Sequence, residues 1–231
     1  MTKAILLDIE GTTTPIDFVH KTLFPYASER IGSYVRDNFD SLHAEVFALK
    51  KEHAGDVGYA YDFDETSFRS IADYLRYLIE ADRKSTPLKT IQGKIWQQGY
   101  ESGELRSEVF DDVPPAFERW QNEGRTIAIY SSGSVLAQKL LFKYTEYGNL
   151  TVFISHYFDT NIGGKREAQS YRTTANSLNL PSASIMFVSD VPAELTAAGD
   201  AGLSTVLSVR PGNEPVENIE NWRIVTSFEA L

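Results

Sequence analysis

The chain predicts an α/β fold: a doubly wound parallel sheet interrupted by one long helical insertion. Three observations predict it. Short apolar runs end in polar residues at Asp8, Ser131 and Asp190. Strand-like runs alternate with helical patterns after residue 109, and from Asp17 to Glu108 the texture is mostly helical. The 231 residues are enough for a core domain carrying a smaller one. The expected boundaries are 1–16 with 109–231 for the core and 17–108 for a helical cap.

The elements follow in order. Lys3-Ala4-Ile5-Leu6-Leu7-Asp8 reads as a short buried strand with a carboxylate at its C-terminal end, and Gly11 to Pro15 as a small polar turn. From Asp17 to about Asp82, Val19, Leu23, Tyr26 and Ala27 mark one apolar helical face, and Phe68, Ile71, Tyr74, Leu75 and Leu78 another. Thr86-Pro87 starts a helix through Ile91, Ile95 and Trp96 that ends between Gly99 and Gly103. Asp112-Val113-Pro114-Pro115 opens the next helix, through Phe117 and Trp120, and Gly124 stops it. Thr126 to Tyr130 is a strand; Ser131 to Ser134 leads into a helix through Leu136, Leu140 and Leu141. A helix covers Glu167 to Leu178. Ile185 to Val188 is a third apolar strand, Pro192 begins a short helix, and Ser204 to Val209 form a further strand. An insertion this long after the first strand is read as a lid domain.

Composition narrows the function. Hydrophobic residues make up 42% of the chain and charged residues 23%, an ordinary globular balance. No apolar stretch is long enough for a membrane span, and the apolar start, cut short by Asp8, lacks the form of a signal peptide. No cysteine is present, which excludes disulfides, thiolate metals and a cysteine nucleophile. Lysine plus arginine number 22 against 32 aspartates and glutamates, a formal charge of −10. Such a surface repels nucleic acid and anionic lipid. The expectation is a cytoplasmic monomer that handles a small molecule, with neither a nucleic acid nor a membrane partner. An anionic substrate would need local positive charge from a metal, a lysine or backbone amides.

Strand C-termini of a parallel sheet converge on the ligand crevice. A lone strand-end Asp or Ser is often only a turn or helix cap, but three on successive strands with a lysine in the next loop form a set. Asp8 and Glu10, two residues apart before Gly11, bring two carboxylates to one cavity, where they repel unless a cation binds. Magnesium suits such hard oxygen donors, and Asp190 completes the set. Ser131 and Ser132 stand at a strand-to-helix junction, a natural phosphate cradle. Lys165, after Gly163-Gly164, reaches inward to balance phosphate charge.

In that order, Asp8, Ser131, Lys165 and Asp190 resemble the four motifs of the haloacid-dehalogenase superfamily, and the inserted helices resemble its cap. Glu10 stands where most phosphatases of that superfamily have Asp. Asp8 to Ile16, Phe18-Val19, Leu23 to Tyr26, Gln92 to Trp96 with Gly99-Tyr100, Asp112 to Pro115, Tyr130 to Ser134 and Phe158 to Thr160 resemble the acireductone synthases, the enolase-phosphatases of methionine salvage. The resemblance implies enolisation of 5-methylthio-2,3-dioxopentyl phosphate, then its dephosphorylation through an aspartyl-phosphate on Asp8. It implies one magnesium ion per subunit on Asp8, Glu10 and Asp190, and substrate binding by Ser131, Ser132 and Lys165. Glu10 offers either its side chain or its backbone carbonyl to the metal, and is also a candidate proton shuttle. Phe18, Trp96 and Tyr100 offer apolar surface to the methylthio end, but aromatics at helical spacing are more often core.

Overall fold

In the computed structural model, residues 1–81, 83–217 and 221–231 are described. Asp82, the expected limit of the first helical stretch, lies outside them. The chain partitions into two compact units, Met1–Val19 with Arg106–Leu231, and His20–Leu105.

The first unit holds a six-stranded, wholly parallel sheet of β1 (Ala4–Leu7), β2 (Thr126–Tyr130), β3 (Ile154–Phe158), β4 (Ile185–Ser189), β5 (Ser204–Ser208) and β6 (Arg223–Val225). The strand order is β3-β2-β1-β4-β5-β6. A strand covered on both faces must be apolar throughout, and every residue of β1 is buried. Ala4, Leu6, Ala128, Tyr130 and Phe187 pack with Tyr171 and Ala175 of α8 (Ala168–Ser177) and Leu195 and Ala198 of α9 (Pro192–Asp200). The alternate residues Ile5, Leu7, Ile127 and Ile129 point the other way. On that side α6 (Val113–Asn122) and α7 (Val135–Lys143) bring Phe117, Trp120 and Phe142 into one run of ring contacts. Burial of each large side chain contributes about 1.5–3 kcal/mol.

The expected strands correspond to β1, β2, β4 and β5. Two more exist at the sheet edges: β3, whose Ile-Ser-His-Tyr-Phe is only partly buried, and β6, three residues long. The third apolar strand read from the sequence is thus β4.

After a short α1 (Ile16–Phe18) and a π-helical turn at Val19–Leu23, the second unit contains α2 (Phe24–Asp37), α3 (His43–His53), α4 (Phe68–Glu80) and α5 (Thr86–Ser102). Residues 54–67 form no regular helix. On α4 one stripe, Ile71, Tyr74, Leu75 and Leu78, is buried, and Ser67 caps the start by accepting from Ser70 N. Ser85 caps α5 and Pro87 occupies its first turn, while Gly103 ends it in the left-handed conformation. Trp96 donates its ring N–H to Leu23 O at 2.8 Å. Phe18, Trp96 and Tyr100 are all buried, so their packing is that of core residues.

Candidate active site

Register places the site. Leu7 is level with Ile129 on β2 and with Val188 on β4. The next residues along are Asp8, Tyr130 and Ser189, and Ser131 and Asp190 follow one step further. Three of the expected site residues therefore come from adjacent strand ends although up to 182 residues separate them in the chain.

Asp8 is buried, with each carboxylate oxygen held. Oδ1 accepts from Ile9 N at 2.8 Å and pairs with Lys165 Nζ at 2.6 Å, and Oδ2 accepts from Ser189 Oγ at 3.0 Å. Lys165 Nζ also meets Glu194 Oε2 at 2.7 Å, and that oxygen faces Ser189 Oγ at 3.1 Å. Burial alone would discharge Lys165; the two carboxylates outweigh it and hold the ammonium above its ordinary range. Burial, together with the charge of Asp8, pushes the Glu194 carboxyl up to about 7 against the opposing pull of Lys165 and Ser189.

The lysine loop is fixed from beneath by two core tyrosines. Tyr130 OH donates to Gly163 O at 2.9 Å and Tyr171 OH to Lys165 O at 2.7 Å. Gly163 has φ of 132°, and a Cβ there would strike Ser170 Oγ. The loop can pass this close only with glycine.

Asp190 follows Ser189, whose Oγ accepts from Val191 N at 3.1 Å at the start of α9. Its carboxylate lies against Gly11, where φ is 65° and an added Cβ would collide with Asp190 Oδ2. Burial raises the Asp190 carboxyl to about 7, with the negative charge of Asp8 and, more weakly, of Glu10 adding to it. Ser131 N donates to Phe158 O at 3.1 Å and its Oγ accepts from Gly133 N at 3.1 Å. Ser132 is exposed in the same turn, and Ser134 caps α7 by accepting from Ala137 N.

Asp8, Lys165 and Asp190 thus come together, Glu10 stands within electrostatic reach of Asp190, and the two serines lie at the neighbouring strand end. Among the described residues, no three His, Asp or Glu side chains converge as a ready metal cage. The site does offer hard oxygen donors and an excess of negative charge at Asp8 and Asp190. That suits magnesium, which takes one or two carboxylates and fills the rest of its octahedron with other oxygens.

Glu194 escaped the sequence reading. The signal was a single acidic residue in the first turn of the otherwise small and apolar start of α9. Arg210 and Asn213 escaped it too. Arg210 forms a two-bond pair with Asp112 at 3.0 and 2.9 Å and donates from Nε to Thr12 O at 3.2 Å. Asn213 donates to Gly11 O at 3.0 Å. Both therefore grip the loop that follows Asp8, and the turn cluster Arg210-Pro211-Gly212-Asn213 was the available clue.

The model of the haloacid dehalogenase-like hydrolases matches residues 2–202. A protein of Synechococcus elongatus named Enolase-phosphatase E1 is 50% identical, with 98% of this chain and 96% of that one aligned. A protein of the same name in Drosophila pseudoobscura pseudoobscura is 45% identical over 99% of this chain and 94% of its own. Among solved structures, the UTR4 protein of Saccharomyces cerevisiae superposes with a TM-score of 0.82 at 34% identity, covering all of both chains. A dehalogenase superposes at 0.58 with 16% identity, covering 99% of this chain and 95% of that one; this is a likeness of fold alone.

Proposed function

Because this chain belongs to the haloacid dehalogenase-like hydrolases and, within them, to the enolase-phosphatases, we propose that Asp8 and Glu10 are its catalytic pair. The substrate we assign is 5-methylthio-2,3-dioxopentyl phosphate, taken first to its enol phosphate and then to acireductone plus phosphate. The observation that carries the assignment is Asp8 itself: a buried carboxylate at the end of a central strand, held on both oxygens, with a lysine 2.6 Å away.

In the first half-reaction Glu10 removes a proton from the carbon beside the substrate carbonyl, the carbonyl oxygen gains it, and the enol forms. In the second, an Asp8 oxygen attacks phosphorus, the bond from phosphorus to the ester oxygen breaks, and that oxygen takes up a proton from solvent and departs with the carbon chain as acireductone. Water then cleaves the aspartyl-phosphate and regenerates Asp8. Lys165 remains charged throughout because Asp8 and Glu194 face it, so it can counter charge on the phosphoryl oxygens. Ser131 and Ser132 orient that group from the strand end beside Asp8.

Magnesium fits the oxygen donors of the site, and Asp8 and Asp190 with the Glu10 backbone carbonyl are the groups we assign to it. When bound, it supplies positive charge that polarises the phosphoryl oxygens. The remaining assignments are a monomer, a cytoplasmic location and a single small-molecule phosphate partner. Among the described residues no helix is long and apolar enough to cross a membrane, and the net charge of −10 favours a small-molecule partner over a nucleic acid.

The test follows the purified protein with the diketone phosphate and magnesium, recording ultraviolet absorbance and released phosphate together. A transient enol absorbance followed by phosphate supports both half-reactions. Release of phosphate from generic esters without reaction of the diketone keeps the phosphatase chemistry and removes the substrate assignment.

A further inference from the structure

Asp8 and Glu10 are two residues apart, but they are held from different sides. The Asp8 carboxylate takes its partners from Ile9 N, Lys165 and Ser189. The peptides after Glu10 are held from the end of β5. Gly11 O accepts from Asn213 Nδ2 at 3.0 Å and from Ser208 Oγ at 3.3 Å, and Thr12 O accepts from Arg210 Nε at 3.2 Å. Glu10 lies between the two holds, where Gly11 N also donates to Thr14 O at 2.9 Å, and Gly11 keeps its left-handed φ under the second of them.

Asn213 is the specific part of that second hold. Its Nδ2 also donates to Ser208 O at 3.2 Å, so two carbonyl acceptors decide which end of the amide carries the hydrogens. Its Oδ1 is then buried without a hydrogen-bond partner, 2.8 Å from where a Gly11 Cβ would stand. A buried acceptor without a donor is unfavourable, and an apolar residue of similar size would remove it. The amide's gain lies in its N–H groups, one of which is spent on the Gly11 carbonyl, one peptide beyond Glu10.

We infer that Asn213 is a positioning residue for Glu10, setting the geometry of proton transfer while leaving the Asp8 nucleophile to its own supports. The inference rests on the proposed role of Glu10 as the proton carrier. Asn213 acts through the Gly11–Thr12 peptide, which fixes the left-handed turn at Gly11 and so the path of the backbone leaving Glu10.

The experiment is a double-mutant cycle on the full chain with magnesium, measuring enolisation by ultraviolet absorbance. Asn213→Ala is expected to lower the kcat for enolisation roughly 10- to 100-fold with KM and thermal midpoint little changed. In the Glu10→Gln background the same substitution should have almost no further effect. Ser208→Ala removes the other donor to Gly11 O and should give the same non-additive pattern at smaller size, which preserves the test if Asn213→Ala folds poorly. Equal fold-losses in both backgrounds, with Glu10→Gln itself impaired, overturn the positioning role and leave Glu10 its function. Full enolisation by Glu10→Gln instead removes the proton-carrier reading, a result visible before Asn213 is touched.

Discussion

Replacing Lys165 with methionine tests the centre of the site. The substitution keeps an unbranched side chain of similar length and deletes the ammonium that stands 2.6 Å from Asp8 and 2.7 Å from Glu194, at 9% side-chain exposure. Two buried carboxylates then share the single hydroxyl of Ser189. Removing one partner of a buried ion pair costs about 3–5 kcal/mol, and losing a charged donor from a developing oxyanion costs about 10²–10³ in rate. The variant relieves part of its strain by protonating Glu194, whose carboxyl already lies at about 7 rather than 4.5. Its native state therefore keeps a proton that the unfolded chain has lost, and stability falls as pH rises from 4.5 through and beyond 7. Urea denaturation at pH 6 and pH 8 should show the larger loss at pH 8, and phosphate release should drop at least a hundredfold. A variant that releases phosphate within twofold of the parent, or loses less than about 1 kcal/mol at pH 8, would refute this account of the site.

Four other outcomes are expected. Asp8→Asn should release no phosphate, and the covalent phosphate seen by mass spectrometry on the acid-quenched parent should be missing from it. Without magnesium, Asp190 with its carboxyl near 7 should make the protein less stable as pH rises from about 4 to about 7; added magnesium should flatten that slope in thermal melts because it favours the ionised form. Gly11→Ala meets both an unfavourable φ of 65° and the Asp190 carboxylate, so calorimetry should show a loss of about 1–3 kcal/mol together with weaker magnesium binding. Asp112→Ala strands the buried Arg210 guanidinium, for which denaturant midpoints should report about 3–5 kcal/mol of destabilisation.

What was legible in the sequence followed from burial. Strands β1, β2, β4 and β5 carry apolar runs because neighbours or helices cover them, and an apolar run is what periodicity detects. Strand β3 sits at an edge, where Ser155 is exposed and His156 and Tyr157 are only half-covered; nothing in that pattern demands a strand. Asp8, Lys165 and Asp190 stand out in the sequence because each ends a strand or follows a glycine turn, and the fold brings them together. Glu194 was not, since a glutamate in the first turn of a helix has an ordinary explanation in the helix dipole. Arg210 and Asn213 act about 200 residues from the loop they hold, and no local rule connects segments that far apart. Which way Asp8, Glu10 and Asp190 turn their oxygens is not legible in sequence, because acidic residues near strand ends need not point to one place.

The central place of β1 has a consequence during synthesis. It leaves the ribosome before the other five strands of this sheet, yet its partners are Thr126–Ile129 on one side and Ile185–Val188 on the other. At about 5–20 residues per second, Ala4–Leu7 waits on the order of ten seconds or more for its last neighbour, as an unpaired apolar ribbon. The helical unit, compact over His20–Leu105, can form in the meantime because local contacts close fastest. The strand that ends at Asp8 is thus made early and fully paired only once β4 emerges, and in a cell it is a segment a chaperone would meet.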